Sequence, residues 1–221
     1  MKNKCCIAII NHTEKLSDSE KLSIGKAIEV FGDKRDIFIV LPDNIDTNEY
    51  EIYSDKSTIL KVNNEWLSTY KAYNNTLCSS DFYKLFSDYE YMLIYQTDCW
   101  VFEDRLDEFI ELNYDYYGAA WPHLQNKVGN GGFSLRKVKK MIEITSKYKF
   151  NDDSIESHCD TWFCVTHGDE LNICNLKVAC NFAIEVPTQK YLNLLDSFPM
   201  GLHGKIMMKY WNNPKVIFKK L

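Results

Sequence analysis

The fold is decided by the stretch Tyr91-Met-Leu-Ile-Tyr-Gln-Thr-Asp98-Cys-Trp100. Its first five residues are apolar or aromatic and predict a buried strand that ends shortly before Asp98. Tyr114-Asp-Tyr-Tyr-Gly-Ala-Ala-Trp121 predicts a second strand, and the turn Gly129-Asn-Gly-Gly132 is expected to open a helix over 136–148. Asp98 lies too early in the chain to cap the helix predicted over 104–112. We therefore expect Asp98 and the glycine-rich turn to form the centre of a site.

The residues before this stretch predict a parallel pair of strands. Residues 4–10 are apolar and β-branched, and residues 36–41 form a similar run closed by Pro42. Between them, Ser17-Asp18-Ser19-Glu20 is a capping box, so a helix is expected from about residue 18 to Gly32. Because parallel strands joined by a helix make a right-handed crossover, the loop after the first strand lies at the carboxyl edge of the sheet. Open α/β folds bind their ligands at that edge.

The rest of the chain continues this alternation. We predict strands over 58–62, 171–174 and 178–185, and helices over 66–77, 80–86, 104–112 and 155–167. No internal repeat, low-complexity segment or linker divides the chain, and its 221 residues suit one core. The predicted fold class is therefore α/β, a single domain with a mostly parallel central sheet flanked by helices.

The charge distribution argues against two kinds of partner. The net charge is −5 and the Lys and Arg residues are scattered, whereas a nucleic-acid-binding protein normally carries a basic stripe. The chain has no run of about 18 apolar residues, so we expect no transmembrane helix. The Lys-rich tail from Lys215 onward would allow at most peripheral contact with an anionic membrane surface.

The sequence contains eight cysteines. The apolar run Cys5–Ile10 is too short for the core of a signal peptide, so we expect free thiols and a cytoplasmic location. A zinc-stabilised structural protein stays open because cysteines and histidines recur late in the chain, although their spacing matches no zinc-finger pattern. These residues are His158, Cys159, Cys164, His167, Cys174 and Cys180. Buried structural cysteines are the simpler interpretation.

A lone carboxylate at the end of a buried strand suits a hard divalent cation. Mg²⁺ and Mn²⁺ bind one or two carboxylates together with water and substrate phosphates. The turn Gly129–Gly132 lets a ligand approach the backbone closely, because glycine has no Cβ. An ordinary tight turn is the alternative interpretation of that segment.

Several blocks of sequence, taken together, indicate a family. They are Glu20-Lys-Leu-Ser23, Tyr73-Asn74 with Leu77 and Phe82-Tyr83, Tyr95–Trp100, Tyr114–Trp121, Val128–Arg136 and Gly201-Leu-His203-Gly204. In these blocks and their order, the chain resembles a family of GT-A type glycosyltransferases of polysaccharide biosynthesis, long catalogued as a domain of unknown function. The resemblance covers roughly residues 5–205.

The resemblance implies that a nucleotide-diphosphate sugar, with a UDP-sugar favoured, binds at the carboxyl edge of the sheet. Gln96-Thr97-Asp98 stands where the family has its Asp-x-Asp metal motif. Asp98 would bridge Mn²⁺ or Mg²⁺ to the diphosphate and His203 would be a late metal ligand, with a surface-loop histidine as the alternative. The implied donor-binding residues are Asn11, Thr13, Asn74, Gln96, Thr97 and Asp98. The residues implied for the acceptor and sugar pocket are Trp121, Asn130, Gly131, Gly132 and Trp162.

The resemblance also implies a catalytic base at the start of a late helix. The relatives carry a Glu-Asp pair there, whereas this chain has Cys159-Asp160, so Asp160 is the implied base. A solvated helix carboxylate is the alternative for Asp160, and Asp152, Asp153 and Glu156 are alternative bases. The departure at Cys159 leaves open a catalytically inactive nucleotide-sugar or carbohydrate-binding module.

These implications together describe a hexosyltransferase-like, inverting enzyme of bacterial surface polysaccharide or glycan synthesis. Its acceptor would be a hydroxyl group of a glycan or lipid-linked glycan. One domain would span residues 1–221, with a nucleotide-binding part over about 1–100, an acceptor part over about 101–205 and a C-terminal tail over 206–221. The enzyme would work in the cytoplasm or at the inner face of the membrane.

Overall fold

Strands and helices alternate along most of the chain. The computed structural model describes residues 4–150 and 158–218. Its strands are β1 (Cys5–Ile10), β2 (Asp36–Pro42), β3 (Thr58–Val62), β4 (Tyr91–Tyr95), β5 (Trp100–Val101), β6 (Tyr116–Tyr117), β7 (Ala120–Trp121), β8 (Lys127–Val128), β9 (Phe133–Lys137), β10 (Ala183–Ile184) and β11 (Gly201–Leu202). Its helices are α1 (Asp18–Phe31), α2 (Tyr70–Leu77), α3 (Ser80–Lys84), α4 (Leu106–Glu111), α5 (Val138–Lys147), α6 (Cys159–Thr161), α7 (Leu176–Phe182), α8 (Gln189–Leu192) and α9 (Lys205–Met208). A π-helix, Trp162–Thr166, follows α6 directly.

The central sheet has six strands in the order β3-β2-β1-β4-β9-β6. Neighbours among β1, β2, β3 and β4 pair in parallel, whereas β9 runs antiparallel to both β4 and β6. The predicted α/β fold with a mostly parallel central sheet is confirmed. The helix between β1 and β2 begins as predicted, with Ser17 and Glu20 completing the capping box.

This topology brings several loops to one edge of the sheet. The parallel strands β1 and β4 end there, so residues 11 and 96–98 emerge side by side. Because β9 is antiparallel to β4, its first residue lies at the same edge and the glycine-rich turn precedes it. A smaller sheet of order β10-β11-β5 adds residues 185 and 203, which follow two parallel strands.

Hydrophobic side chains cover both faces of the central sheet. Alternate residues of β1 belong to two separate clusters, because successive side chains of a strand point to opposite faces. One cluster takes in Ile24 and Phe31 from α1, and the other takes in Phe82 from α3 and Met141 from α5. Burial on both faces is typical of parallel strands. Within the described ranges, no helix has the length and apolar character needed to cross a membrane.

The glycine-rich turn opens a strand and not a helix, so the prediction of a helix from residue 136 is wrong at its start. Phe133–Lys137 form β9, and α5 begins at Val138. The β9 residues pair with β4 on one side and β6 on the other. A segment of five residues carries little periodicity of its own, so pairing with two strands decides its structure.

The predicted strand over 178–185 is wrong for most of its length. Residues 176–182 form α7, and Asn175 caps that helix by accepting a hydrogen bond from the Val178 N–H. The N-cap hydrogen bond therefore favours a helix in this segment, although its apolar residues resemble a strand. The strand predicted over 171–174 is reduced to an isolated bridge between Tyr116 and Ile173.

Three further predictions differ in their bounds. The strand predicted over 114–121 is interrupted, because β6 joins the central sheet while β7 pairs with β8. The helix predicted from residue 66 begins at Tyr70, since the Thr69 side chain caps it. In the helix predicted over 155–167, residues 155–157 lie outside the described residues, and the remainder is α6 followed by the π-helix.

Candidate functional site

Three loops are joined by backbone hydrogen bonds at the edge of the sheet. The Gln96 N–H donates to the Gly132 carbonyl at 2.9 Å, which links the end of β4 to the glycine-rich turn. The Gly204 N–H donates to the Asp98 carbonyl at 3.2 Å, which links the same loop to the segment after β11. Side chains that are far apart in the sequence are thereby brought to one place.

The imidazole of His203 lies at the centre of this place. The residue is 7% exposed. Its Nε2 lies 3.1 Å from Gln96 Oε1 and 3.3 Å from Asp98 Oδ1. Its Nδ1 faces Glu185 Oε1 at 3.6 Å. The pairing of Asp98 with a late histidine, which the sequence implied, is therefore present in the geometry.

Asp98 and His203 shift each other's pKa in opposite directions. Burial alone would lower the pKa of His203, but the hydrogen bond and charge of Asp98, aided by Glu185, outweigh it and raise that pKa above its ordinary value. Burial alone would raise the pKa of Asp98, but the hydrogen bond and charge of His203 outweigh it and lower that pKa. Both shifts favour an imidazolium facing a carboxylate.

Ligand atoms suited to a divalent cation converge here. In residues 4–150 and 158–218, one group of such atoms lies within 4.8 Å of one another, from Asp98, Cys99 and His203. Cys99 is a poor ligand, because its thiol donates to the Gly132 carbonyl at 3.2 Å and burial raises its pKa well above the ordinary value. A carboxylate, an imidazole and the Gln96 amide oxygen fit Mg²⁺ or Mn²⁺. A bound cation would replace the proton on His203 Nε2.

Two cavities meet beside Gln96. The smaller has a volume of about 300 Å³ and the larger about 780 Å³, and Tyr70, Tyr73 and Gln96 line both. The predicted site residues that line the smaller cavity are Asn11, Gln96, Thr97 and Asp98. Those that line the larger cavity are Asn74, Gln96, Trp121, Asn130, Gly131, Gly132, Asp160 and His203.

The remaining predicted site residues lie elsewhere. The Thr13 hydroxyl lies 3.5 Å from Asn11 Oδ1, and Thr13 is outside both linings. Trp162 is 3% exposed and packs against Phe163 and His167, so it supports the wall of the larger cavity from behind. The alternative bases Asp152, Asp153 and Glu156 lie outside the described residues.

Glu20 joins the two strand ends that border the smaller cavity. Its Oε1 accepts from Asn11 Nδ2 at 3.3 Å and from Thr97 Oγ1 at 3.2 Å, while its Oε2 accepts from the Ser17 N–H at 2.9 Å. Burial raises the pKa of Glu20, but hydrogen bonds from Ser17, Asn11 and Thr97 outweigh it and lower that pKa. The sequence identified Glu20 in the capping box and in a family block, but not as a residue that shapes the site.

Backbone N–H groups hold the Asp160 carboxylate at the wall of the larger cavity. Its Oδ2 accepts from the Gly131 N–H at 3.1 Å, and its Oδ1 accepts from the Thr161 N–H at 2.8 Å. Asn74 fixes the start of α6, because its Oδ1 accepts from the Cys159 N–H at 2.8 Å. Its Nδ2 donates to a carbonyl of α2 at 2.8 Å, so hydrogen bonds within the protein use much of the Asn74 amide.

Arg136 supports the glycine-rich turn from behind. Its guanidinium is fully buried and donates to the Gly131 carbonyl at 3.3 Å, to Ser134 Oγ at 2.9 Å and to Tyr83 Oη at 2.7 Å. It also lies over two aromatic rings, with its Cζ 5.1 and 5.6 Å from their centroids. A buried cation with several partners fixes the backbone that carries the Asp160 contact.

Arg136→Met is expected to destabilise the protein by about 3 kcal/mol. The substitution keeps an apolar chain of similar length but removes the N–H donors to the buried hydroxyl oxygens of Tyr83 and Ser134, at about 1–3 kcal/mol for each buried group. Urea unfolding at neutral pH measures the difference. Lys139→Met is the control, because Lys139 is exposed on α5 and should stay within about 0.5 kcal/mol of the parent. A loss below about 1 kcal/mol for Arg136→Met would contradict this account.

Glu185 is a residue of the larger cavity that the sequence did not indicate. Burial raises its pKa above the ordinary value, the charges of Asp160 and Asp98 act in the same direction, and His203 opposes them. The wrong strand over 178–185 hid this residue. The signal that could have revealed it is the one used for Asp98, an acid placed directly after a buried apolar segment.

The fold is that of the GT-A glycosyltransferases, which confirms the predicted resemblance at the level of fold. The glycosyltransferase GlyE of Streptococcus pneumoniae TIGR4 superimposes with a TM-score of 0.64 at 13% identity, covering 100% of this chain. The chain spans 63% of the length of GlyE. The galactosyltransferase LgtC, solved with donor and acceptor sugar analogs, gives a TM-score of 0.60 at 10% identity and covers 90% of this chain and 86% of LgtC. Mouse xyloside xylosyltransferase 1 gives 0.58 at 8% identity, covering 90% of this chain and 97% of that enzyme.

The chain belongs to the family described as "Protein of unknown function (DUF5672)". The match runs over residues 56–203, which is more than half of the chain and includes the central stretch, Asp160 and His203. No curated protein matches the sequence.

Proposed function

We propose that this protein is a metal-dependent glycosyltransferase that moves a sugar from a nucleotide-diphosphate sugar to a hydroxyl acceptor. The observation that carries the proposal is the convergence of Gln96, Asp98 and His203 at the junction of two cavities. A donor with a nucleoside on one side of its diphosphate and a sugar on the other needs this arrangement. The GT-A fold supports the same interpretation.

The smaller cavity would hold the nucleoside. Asn11 and Thr97 border it and offer an amide and a hydroxyl, oriented by their shared acceptor Glu20. Thr13 lies next to this wall through its contact with Asn11. A UDP-sugar is the first donor to test, because the family resemblance favours it.

Asp98 and His203, with Gln96 beside them, would hold Mn²⁺ or Mg²⁺ between the cavities. The ion would act as a Lewis acid that stabilises the negative charge of the leaving nucleoside diphosphate. The protein contributes rigid placement, since backbone bonds from Gln96 and Gly204 fix the loop that carries Asp98.

The larger cavity would hold the donor sugar and the acceptor. Asp160 would accept the proton of the acceptor hydroxyl, with its carboxylate aimed by the Gly131 and Thr161 N–H groups. Trp121 and Asn130 would form walls, and Asn74 would act through the start of α6. We further propose an inverting hexosyl transfer to a glycan or lipid-linked glycan in surface polysaccharide synthesis, on the cytoplasmic side of the membrane.

A second candidate is a nucleotide-sugar or carbohydrate-binding module without turnover. The observation that favours it is Cys159, a thiol that lines the larger cavity directly before Asp160. A screen of UDP- and GDP-sugars with Mn²⁺ separates the two candidates. Hydrolysis or transfer of a sugar supports the enzyme, whereas tight binding with no turnover on any acceptor supports the module.

Asp98→Asn is expected to weaken Mn²⁺-dependent UDP binding at least about 10-fold, or about 1.4 kcal/mol, because it removes the negative charge beside His203. Calorimetry with and without Mn²⁺ measures this. Asp81→Asn is the control, since that carboxylate is 68% exposed and pairs with Lys84 of the same helix turn. Equal affinity of Asp98→Asn and the parent in Mn²⁺ would remove Asp98 from the metal site.

A further inference from the structure

The two ring nitrogens of His203 have different surroundings. Nε2 faces two oxygen atoms, Gln96 Oε1 at 3.1 Å and Asp98 Oδ1 at 3.3 Å. Nδ1 is buried and makes no hydrogen bond within the described parts of the chain. Glu185 Oε1 lies 3.6 Å from this nitrogen. A buried polar atom without a partner costs about 1–3 kcal/mol, so the missing bond needs an explanation.

The backbone places Glu185 beside His203. β10 and β11 pair in parallel, with Ile184 next to Leu202, so the residues that follow them stand side by side. The His203 N–H donates to the Ile184 carbonyl at 3.1 Å, which fixes the two segments together. The Glu185 side chain is 27% exposed and has no other hydrogen bond among the described residues, so it has room to turn toward Nδ1.

If His203 binds a metal through one ring nitrogen, the single proton of the ring lies on the other nitrogen, which here faces Glu185. A neutral imidazole binds a cation through the lone pair of one nitrogen, and the other nitrogen donates its proton to an acceptor. Asp98 and Gln96 mark the Nε2 side as the metal side. Nδ1 then carries the proton, and Glu185 is the carboxylate that faces it. Because Glu185 lies at the other ring nitrogen, it acts through His203 and not as a ligand.

We propose that Glu185 is a positioning residue that accepts a hydrogen bond from the Nδ1–H of His203, holds the ring in place and thereby leaves Nε2 for the cation. This inference rests on the proposed metal role of Asp98 and His203. It adds that Glu185 sets how tightly Asp98 and His203 bind the cation. Without this acceptor, the Nδ1–H has no hydrogen-bond partner, and one of the contacts that orient the ring is lost.

The test is Mn²⁺ affinity by calorimetry, in the absence of nucleotide and acceptor. Glu185→Ala is expected to weaken binding by about 10- to 100-fold, the range found when the acceptor behind a metal-bound histidine is removed. Glu185→Gln should stay within about 3-fold of the parent, because its amide oxygen also accepts a hydrogen bond from the Nδ1–H. In a His203→Ala background, Glu185→Ala should have no further effect. Glu143→Ala is the matched control, since that carboxylate is 57% exposed on α5.

Distinct results would overturn this inference. Parent-like affinity of Glu185→Ala, while Asp98→Asn and His203→Ala weaken binding, would reject the role of Glu185 and leave the metal site standing. If Glu185→Ala weakened Mn²⁺ binding equally in the parent and in the His203→Ala background, Glu185 would not act through the ring. A Glu185→Gln variant as weak as Glu185→Ala would make the carboxylate charge itself the cause. If the parent bound no Mn²⁺, the proposed metal site and this inference would both fail.

Discussion

Gly132→Ala is expected to abolish Mn²⁺ binding and sugar transfer together while the protein stays folded. A Cβ on Gly132 would lie 2.0 Å from His203 Nε2 and 2.5 Å from Gln96 Oε1, where real contacts essentially never occur. Neither partner yields easily, because His203 is buried and the side-chain amide of Gln96 is held by its hydrogen bond to Tyr73 Oη at 2.8 Å. The methyl group therefore occupies the space in which a cation would meet its ligands. We expect a loss in affinity of more than about 100-fold, or about 2.7 kcal/mol.

The matched control for this substitution is Gly25→Ala. Gly25 lies within α1, and a Cβ there would meet nothing within 4 Å. Alanine should stabilise that helix by about 0.5–1 kcal/mol and leave Mn²⁺ affinity unchanged. Calorimetry gives the affinity, and circular dichroism with thermal melting shows that both variants fold. Parent-like Mn²⁺ binding by folded Gly132→Ala would place the cation elsewhere.

Asp160→Asn is expected to lower kcat by about 10²- to 10⁴-fold, which is the usual contribution of a general base. The affinity for UDP and Mn²⁺ should change little, because the carboxylate lies in the larger cavity, away from Asn11 and Thr97. An asparagine matches the shape of the aspartate but cannot take up the acceptor's proton. A loss in kcat without a loss in donor binding identifies a group that acts in the chemical step.

Asp169→Asn serves as the control for Asp160→Asn, since Asp169 is an exposed acid a short distance along the same segment. Steady-state kinetics with a saturating UDP-sugar and Mn²⁺ measure both variants, once a donor is identified. Asp160 accepts from two backbone N–H groups, so a thermal melt must accompany the kinetics to detect local disruption. Unchanged kcat in Asp160→Asn would falsify its role as base, and Asp152, Asp153 and Glu156 would be tested next.

The strands with long apolar runs could be predicted from the sequence. β3 and β4 have the predicted bounds, and the acid after β4 lies at the edge where ligands bind in this type of sheet. The residues of β4 are apolar or aromatic throughout, β3 carries Ile59, Leu60 and Val62, and a polar residue marks each end of both strands. The start of α1 could also be predicted, because the two side chains of its capping box bond to backbone N–H groups within one helical turn.

The bounds of the two-residue strands β10 and β11 could not be predicted, because tertiary pairing alone decides them. Ala183–Ile184 and Gly201–Leu202 are too short for any periodicity, and they become strands through pairing with each other and with β5. Those two strands carry Glu185 and His203 to the site. The family resemblance supplied His203, whereas the wrong strand prediction over 178–185 hid the acid Glu185 that follows an apolar segment.

The π-helix after α6 determines which side chains line one wall of the larger cavity. Its wide turn closes with the His167 N–H donating to the Trp162 carbonyl at 3.1 Å, five residues back. Such a turn carries more residues than an α-helical one, so Cys164 turns inward while Val165, 38% exposed, lines the cavity with Asp160. If the larger cavity holds a sugar as proposed, one stretch of chain would present a carboxylate to its hydroxyl groups and a branched aliphatic surface to the C–H face of a pyranose ring.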